Sequence, residues 1–181
     1  MKNAAFFLRI SLTLLIITAV VALALAGVNS ITQDRIAAIQ AEKTQKAIEQ
    51  VLSGGYDRTI TEFEDGTGLV QTIYASDKGY AVEVTPIGFD NTITMMVGVD
   101  MEGKVLGISV ISHTETKGLG EVAAAQSAKG EAFRGQFVGQ SGALAVSKDG
   151  GTIEAITGAT ITSRAVTAGV NAAVACVANL G

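Results

Sequence analysis

The chain has 181 residues, 13 Lys and Arg against 17 Asp and Glu, a formal net charge of −4 and a mean hydropathy of +0.40. That length holds one globular domain of ordinary size plus something extra. The acidic balance, without a basic run or aromatic–basic interleaving, argues against nucleic acid as a partner. One cysteine, Cys176, and one histidine, His113, exclude an internal disulfide and argue against an iron–sulfur or zinc centre carried by this chain alone. Cys176 reads as a small buried hydrophobe in the last helical stretch.

The extra piece lies at the N-terminus. Ile10 to Val28 carries no charge, and Ser11, Thr13 and Thr18 are its only clearly polar side chains. At roughly 1.5 Å per residue this run makes a helix of about 28 Å, close to the ~30 Å thickness of a bilayer core. Ala24-Leu25-Ala26 matches a signal-peptidase pattern, so a cleaved signal peptide is one reading. The run is longer than an ordinary signal core and continues to Val28, which favours a retained anchor. Charge decides the orientation poorly, with Lys2 and Arg9 before the run and Arg35, Lys43 and Lys46 after it. A short N-terminal tail normally stays in the cytoplasm, which places the following domain on the extracytoplasmic side of the cell membrane.

Residues 31–52 read as a helix continuing from the anchor. Ile36, Ile39, Ile48, Val51 and Leu52 fall at helical spacing around a polar middle, and Gly54-Gly55 ends it. The expected organisation is an anchor at 1–30, a helical stalk at 31–55 and a compact domain at 56–181. From Leu69 the period becomes that of strands. Val70–Tyr74 and Tyr80–Thr85 flank the turn Ser76-Asp77-Lys78-Gly79, and Thr92–Val99 and Lys104–Ile111 form a hairpin around Asp100-Met101-Glu102-Gly103. Residues 121–128 favour a short helix, and Phe133 and Phe137 read as core. Leu144–Val146 and Thr152–Ile156 are brief strand candidates, and a helix spans about Thr162 to Asn179. The predicted class is α+β, an antiparallel sheet with flanking helices behind a single transmembrane helix.

Two stretches carry chemistry. Ile156-Thr157-Gly158-Ala159-Thr160-Ile161-Thr162-Ser163 packs hydroxyls around two residues with almost no side chain, directly before the last helix. The free amides and positive dipole end of that helix suit a phosphate. The second stretch is His113-Thr114-Glu115-Thr116-Lys117-Gly118-Leu119-Gly120, a polar loop with two glycines that also reads as a plain strand-to-helix connection. Neither is a Walker A loop or a dinucleotide fingerprint. His113 reads as a structural hydrogen-bonder in its loop rather than a proton donor.

Together the two stretches resemble the motifs of a known family. It is the FMN-binding domain of the G subunit of Rnf-type electron-transport complexes, itself similar to the C subunit of Na⁺-translocating NADH:quinone reductase. The 113–120 loop looks like that family's His-x-Glu-Thr-x-Gly-Leu-Gly, and residues 157–163 look like its Ser/Thr-Gly-Ala-Thr-x-Thr-Ser. The resemblance implies one FMN, attached covalently by a phosphoester to Thr160. A separate flavin transferase would perform the attachment outside the cytoplasm, using FAD. Glu154 stands where the transferase's pattern has Asp, with Ala155 after it, and Gly88-Phe89-Asp90-Asn91 replaces a Gly-Tyr-Gly-Gly-like turn. On this reading Thr157 shapes the turn, while Thr162 and Ser163 hydrogen-bond the phosphodiester, and Arg164 adds charge or is merely solvated. Glu115, Thr116 and Leu119 bear on the isoalloxazine ring, where a carboxylate would lower the flavin's potential. Gly158, Ala159, Ile161 and Gly118 complete the cofactor-binding set.

The implied role is a flavin-carrying electron-transfer subunit of a membrane ferredoxin:NAD⁺ oxidoreductase that couples electron flow to Na⁺ or H⁺ transport, with no independent turnover. Its partners would be the other subunits of that complex. A subunit of the quinone reductase, a stand-alone extracytoplasmic flavoprotein and a pilin-like structural protein are the alternatives. Against the last, the apolar helix lacks the acidic residue that pilins carry near its start.

Overall fold

The computed structural model describes residues 2–180, with side chains from Phe6 onward; Met1 and Gly181, the ends of the expected anchor and domain, and the Lys2 side chain lie outside the described residues. The chain divides into two compact units, Met1–Glu42 and Lys43–Gly181. Helix α1 (Lys2–Val51) supplies the first unit and opens the second. In the first unit its large apolar side chains, Phe6 through Val28, are all exposed. The helix is long and apolar enough to cross a membrane by length and composition.

The second unit is built on an antiparallel five-stranded meander: β1 (Arg58–Ile60), β2 (Val70–Ser76), β3 (Gly79–Val84), β4 (Thr94–Asp100) and β5 (Val105–Ser112), each paired with the next. The period-two pattern sorts side chains to two faces. Ile73, Val82, Val84, Met95, Val97 and Val99 face helix α3 (Thr160–Ala178). Ala81, Met96 and Ile111 face Ala47, Ile48, Val51 and Leu52 at the end of α1. Covered on both sides, β4 is buried from Met95 to Val99 and reads as a continuous apolar run.

Both layers press close because glycines clear the way. A Cβ at Gly169 of α3 would stand 3.0 Å from Pro86 and 3.2 Å from Val84, and would overlap Met95 Cε. Gly98 and Gly107 are register partners on β4 and β5, and Val51 rests on this bare spot. Cys176 is buried, as its residue type suggests, and its thiol donates to the Glu64 carbonyl at 3.6 Å. Phe133 and Phe137 meet edge to face in the core at 5.5 Å.

The helix expected over 121–128 is displaced. Gly120–Ala123 forms only a 3-10 turn, and helix α2 (Ala128–Gly135) starts afresh with Ser127 as its cap, accepting from the Gly130 N–H at 3.3 Å. Arg134 reaches back from α2 and donates to the carbonyls of Ala123 at 2.6 Å and Ala125 at 3.1 Å, satisfying the interrupted turn. The strand candidates Leu144–Val146 and Thr152–Ile156 are not strands either. They touch through one parallel bridge, Val146 to Ile153, because the chain between them coils into a 3-10 turn, Ser147–Asp149, closed by Gly150 at φ 84°. β1 has no counterpart among the sequence expectations.

Gly98→Ala drives a methyl group into the Val51 carbonyl and is expected to cost about 1–3 kcal/mol in denaturant unfolding, as overpacking does. Gly107→Ala, whose Cβ meets Val51 no closer than 3.9 Å, is expected to change little. Equal losses in the two variants would contradict the packing described.

Candidate functional site

Three loops and one helix end converge beside the sheet. The first loop joins β3 to β4 and folds into a small hairpin: the Gly88 N–H donates to the Asn91 carbonyl and the Ile93 N–H to the Pro86 carbonyl, both at 2.8 Å. Its tip exposes Phe89. The second is the 113–120 stretch after β5. There His113 Nδ1 accepts the Glu115 N–H at 3.2 Å, the local bonding role expected of it. Gly118 takes φ 74°, and its N–H donates to Glu121 Oε2 at 3.2 Å. The third is the 3-10 turn at Ser147–Asp149. The helix end is the start of α3, where Thr160 is the first helical residue and Ala159 provides no side-chain cap. The N–H groups of this first turn therefore have no intrahelical acceptor.

The Glu115 side chain fastens these parts. It is only 6% exposed. Its Oε1 accepts the backbone N–H groups of Phe89 at 2.9 Å and Asp90 at 3.4 Å, and its Oε2 accepts the Thr162 hydroxyl in a short contact. Glycine is required on both sides of this carboxylate. A Cβ at Gly88 would overlap Oε1, and one at Gly120 would overlap Oε2 and crowd Thr162 Oγ1 at 2.6 Å. Ser163 is equally committed: its Oγ donates to the Ala159 carbonyl at 2.9 Å and accepts the Ile156 N–H at 3.0 Å. The hydroxyls of Thr162 and Ser163, expected to bond a phosphate, thus face inward and hold the turn. The carboxylate of Glu115, expected to face a flavin ring, spends both oxygens on the protein.

Thr160 is different. It is half-buried, and its Oγ1 accepts from the Lys148 ammonium at 3.0 Å. Gly158 before it turns through φ 78°, and a Cβ there would press against Leu119 Cδ2 at 3.0 Å. Thr157 is exposed on the same turn. Arg164 is not simply solvated: its Nε and Nη2 hold Asp149 at 2.7 and 2.5 Å, and this hydrogen bonding draws the Asp149 carboxyl below its ordinary range. Lys148, absent from the expected set, is the residue that sequence reasoning missed. Its only signal is its place beside Asp149-Gly150-Gly151.

The cleft enclosed by these parts has a volume of about 280 Å³ and is lined by Phe89, Glu115, Thr116, Leu119, Lys148 and residues 158–162. Phe89, Leu119 and Ile161 stand 65%, 43% and 49% exposed around it as an apolar rim. Its donors are Lys148 and the free N–H groups at the α3 N-terminus. Apolar side chains beside an ammonium and free helix N–H groups suit an apolar ligand that carries a phosphate. The volume falls just below the ~300–1,000 Å³ of ordinary ligand pockets, so such a ligand is only partly enclosed. Glu154 lies outside this cleft. Its backbone is held by the Gln136 amide at 2.7 and 3.2 Å, and its side chain lines a neighbouring cavity of about 480 Å³ with Gly118, Ile156 and Thr157.

The cleft suits a ligand that carries a phosphate, and residues 88–175 match the family described as FMN-binding domain. Residues 1–51 match the RnfG N-terminal region. The chain is 31% identical to the G subunit of the ion-translocating oxidoreductase complex of Methanosarcina acetivorans over 96% of each chain. It is 36% identical to the G subunit of the same complex from Yersinia pestis over 78% of this chain and 76% of that one. A third relative is the G subunit of the proton-translocating ferredoxin:NAD(+) oxidoreductase complex of Clostridium ljungdahlii, 44% identical over 56% of this chain and 57% of its own. The chain belongs to the family of G subunits of ion-translocating oxidoreductase complexes, the Rnf type.

Glu115→Ala strips the Phe89 N–H and the Thr162 hydroxyl of their buried acceptor and is expected to cost roughly 3 kcal/mol in urea unfolding. Glu115→Gln, which keeps one acceptor oxygen, is expected to lose less. A loss under about 1 kcal/mol for the alanine variant would show that the three segments are fastened by something else.

Proposed function

We propose that the domain carries one FMN bound covalently, through its phosphate, to Thr160 Oγ1, and serves as an electron-transfer subunit of a membrane ferredoxin:NAD⁺ oxidoreductase of the Rnf type that couples electron flow to Na⁺ or H⁺ translocation. The observation that carries the attachment is the placement of Thr160. Among the hydroxyls of its turn it combines a cleft position, a cationic neighbour and the amide end of α3. The names of the relatives support the complex. When bound, the flavin supplies reversible uptake and release of electrons, and the protein supplies binding, orientation and electrostatics.

The chain's own residues divide those duties. Lys148 and the first N–H groups of α3 face the phosphate end. Phe89, Leu119 and Ile161 offer apolar surface to the ring, with Thr116 and Gly118 in the adjoining loop. Glu115 acts at one remove, holding the Phe89 tip and the 113–120 loop in place through its carboxylate. No group in the cleft needs to act as a general acid. On this reading residues 1–30 form a single-pass anchor, 31–55 a stalk and 56–181 the flavin domain. That domain lies on the extracytoplasmic side, where a flavin transferase modifies it, and Glu154 takes the place of the aspartate in the transferase's recognition pattern.

Full-length protein co-expressed with a flavin transferase should give an ultraviolet-fluorescent band on a denaturing gel. Thr160→Ala should abolish the fluorescence, and peptide mass analysis should place the added flavin nucleotide on Thr160. Thr162→Ala should keep it, since that hydroxyl is committed to Glu115. An unmodified, dark wild-type band beside an active transferase would sink the assignment.

A further inference from the structure

Lys148 lies outside both motifs, yet a small device delivers it to the attachment hydroxyl. The 3-10 turn that carries it is closed by Gly150 in the left-handed region and tied by the Ser147 N–H to the Ile153 carbonyl at 2.8 Å. Asp149, the next residue, is gripped at 2.7 and 2.5 Å by Arg164 on the first turns of α3. Both side chains of that pair are about half exposed, at 50% and 40%. Such an exposed pair contributes little to overall stability. Its effect is positional: with Asp149 fixed to α3, Lys148 is set over Thr160, the first residue of the same helix.

The chemistry of the contact is one-directional. An ammonium has donors and no acceptor, so Thr160 Oγ1 accepts from Lys148 and its own proton is left free for an external base. A threonine hydroxyl is a weak nucleophile. A fixed cation on its oxygen stabilises the charge that develops there as the proton leaves, and afterwards faces the phosphate anion.

We propose that Lys148 is the positioning residue for covalent flavin attachment, holding Thr160 Oγ1 ready for attack and then neutralising the phosphodiester that forms. The proposal rests on the reading of Thr160 given above. In the step, Thr160 Oγ1 forms a bond to the flavin-side phosphorus of flavin adenine dinucleotide, and the bond from that phosphorus to the bridging oxygen breaks. AMP leaves with the bridging oxygen and its electron pair, the hydroxyl proton passes to a base on the transferase, and nothing is oxidised or reduced.

The test follows fluorescent labelling of the purified full-length protein in detergent by a flavin transferase and flavin adenine dinucleotide, for wild type, Lys148→Ala, Lys148→Gln, Lys148→Arg and Thr160→Ala. Lys148→Ala and Lys148→Gln should label about tenfold or more slowly, about 1.4 kcal/mol of barrier. The loss should fall in kcat, with KM for the protein substrate within about twofold of wild type. Lys148→Arg should recover most of the rate, and melting temperatures should match, since Lys148 is exposed. Wild-type rates in the alanine and glutamine variants, or a loss confined to KM, would overturn the role of Lys148 while leaving Thr160 as the attachment point. An unlabelled wild type, or a labelled Thr160→Ala, would instead overturn the reading beneath it.

Discussion

A buried carboxylate sets the terms for this domain. Glu115 is almost fully withdrawn from water, and burial of such a group is tolerated only when its oxygens are met by donors. Here the donors come from two separate places, the 88–91 tip and the first turn of α3, while the carboxylate itself comes from the loop after β5. Any arrangement that separates these segments strands the carboxylate or its partners. Gly88 and Gly120 belong to the same requirement, since each lies where a side-chain carbon would displace an oxygen of Glu115.

From that fastening follows a separation of inner and outer groups. Thr162 and Ser163 are turned into the protein, one to Glu115 and one to the backbone of residues 156–159. Thr160, on the other side of the same helical turn, is left to the cleft and to Lys148. Of the four hydroxyls in the 156–163 run, Thr162 and Ser163 are bonded within the protein, Thr160 meets Lys148 and Thr157 is exposed. The exposed apolar side chains of Phe89, Leu119 and Ile161 line the same cleft as Lys148.

Much of the fold is legible in residue order. The alternation in residues 70–84 and 94–111 announces four strands, and the apolar pattern after Thr160 announces a helix, because long periodic segments report the face they bury. β1 is not legible, since Arg58–Ile60 is too short and too exposed for its alternation to stand out. The region 121–128 has the composition of a helix, and its alanines mislead for that reason. What breaks it is tertiary: Gly130 must pass close to the carbonyls of Val122 and Ala125, and Arg134 holds the freed carbonyls. The segments around Asp149 carry strand-like residues that find a single bridge rather than a ladder.

The apolar N-terminal helix, the two motif loops and the family resemblance follow from the chain's order of residues, with Thr160 as the hydroxyl of interest implied by that resemblance. They depend on residue type, run length and local spacing, which one dimension records in full. That Glu115 points inward, that Thr162 and Ser163 are already engaged, that Lys148 lines the cleft and that Arg164 pairs with Asp149 emerge only from the folded arrangement. Apart from the local bonds of Ser163, those facts depend on contacts between residues well separated in the chain. Glu115 and Thr162 are separated by 47 positions, and Lys148 and Thr160 by 12. Spacing along the chain carries no record of which of two neighbouring hydroxyls such a partner will meet.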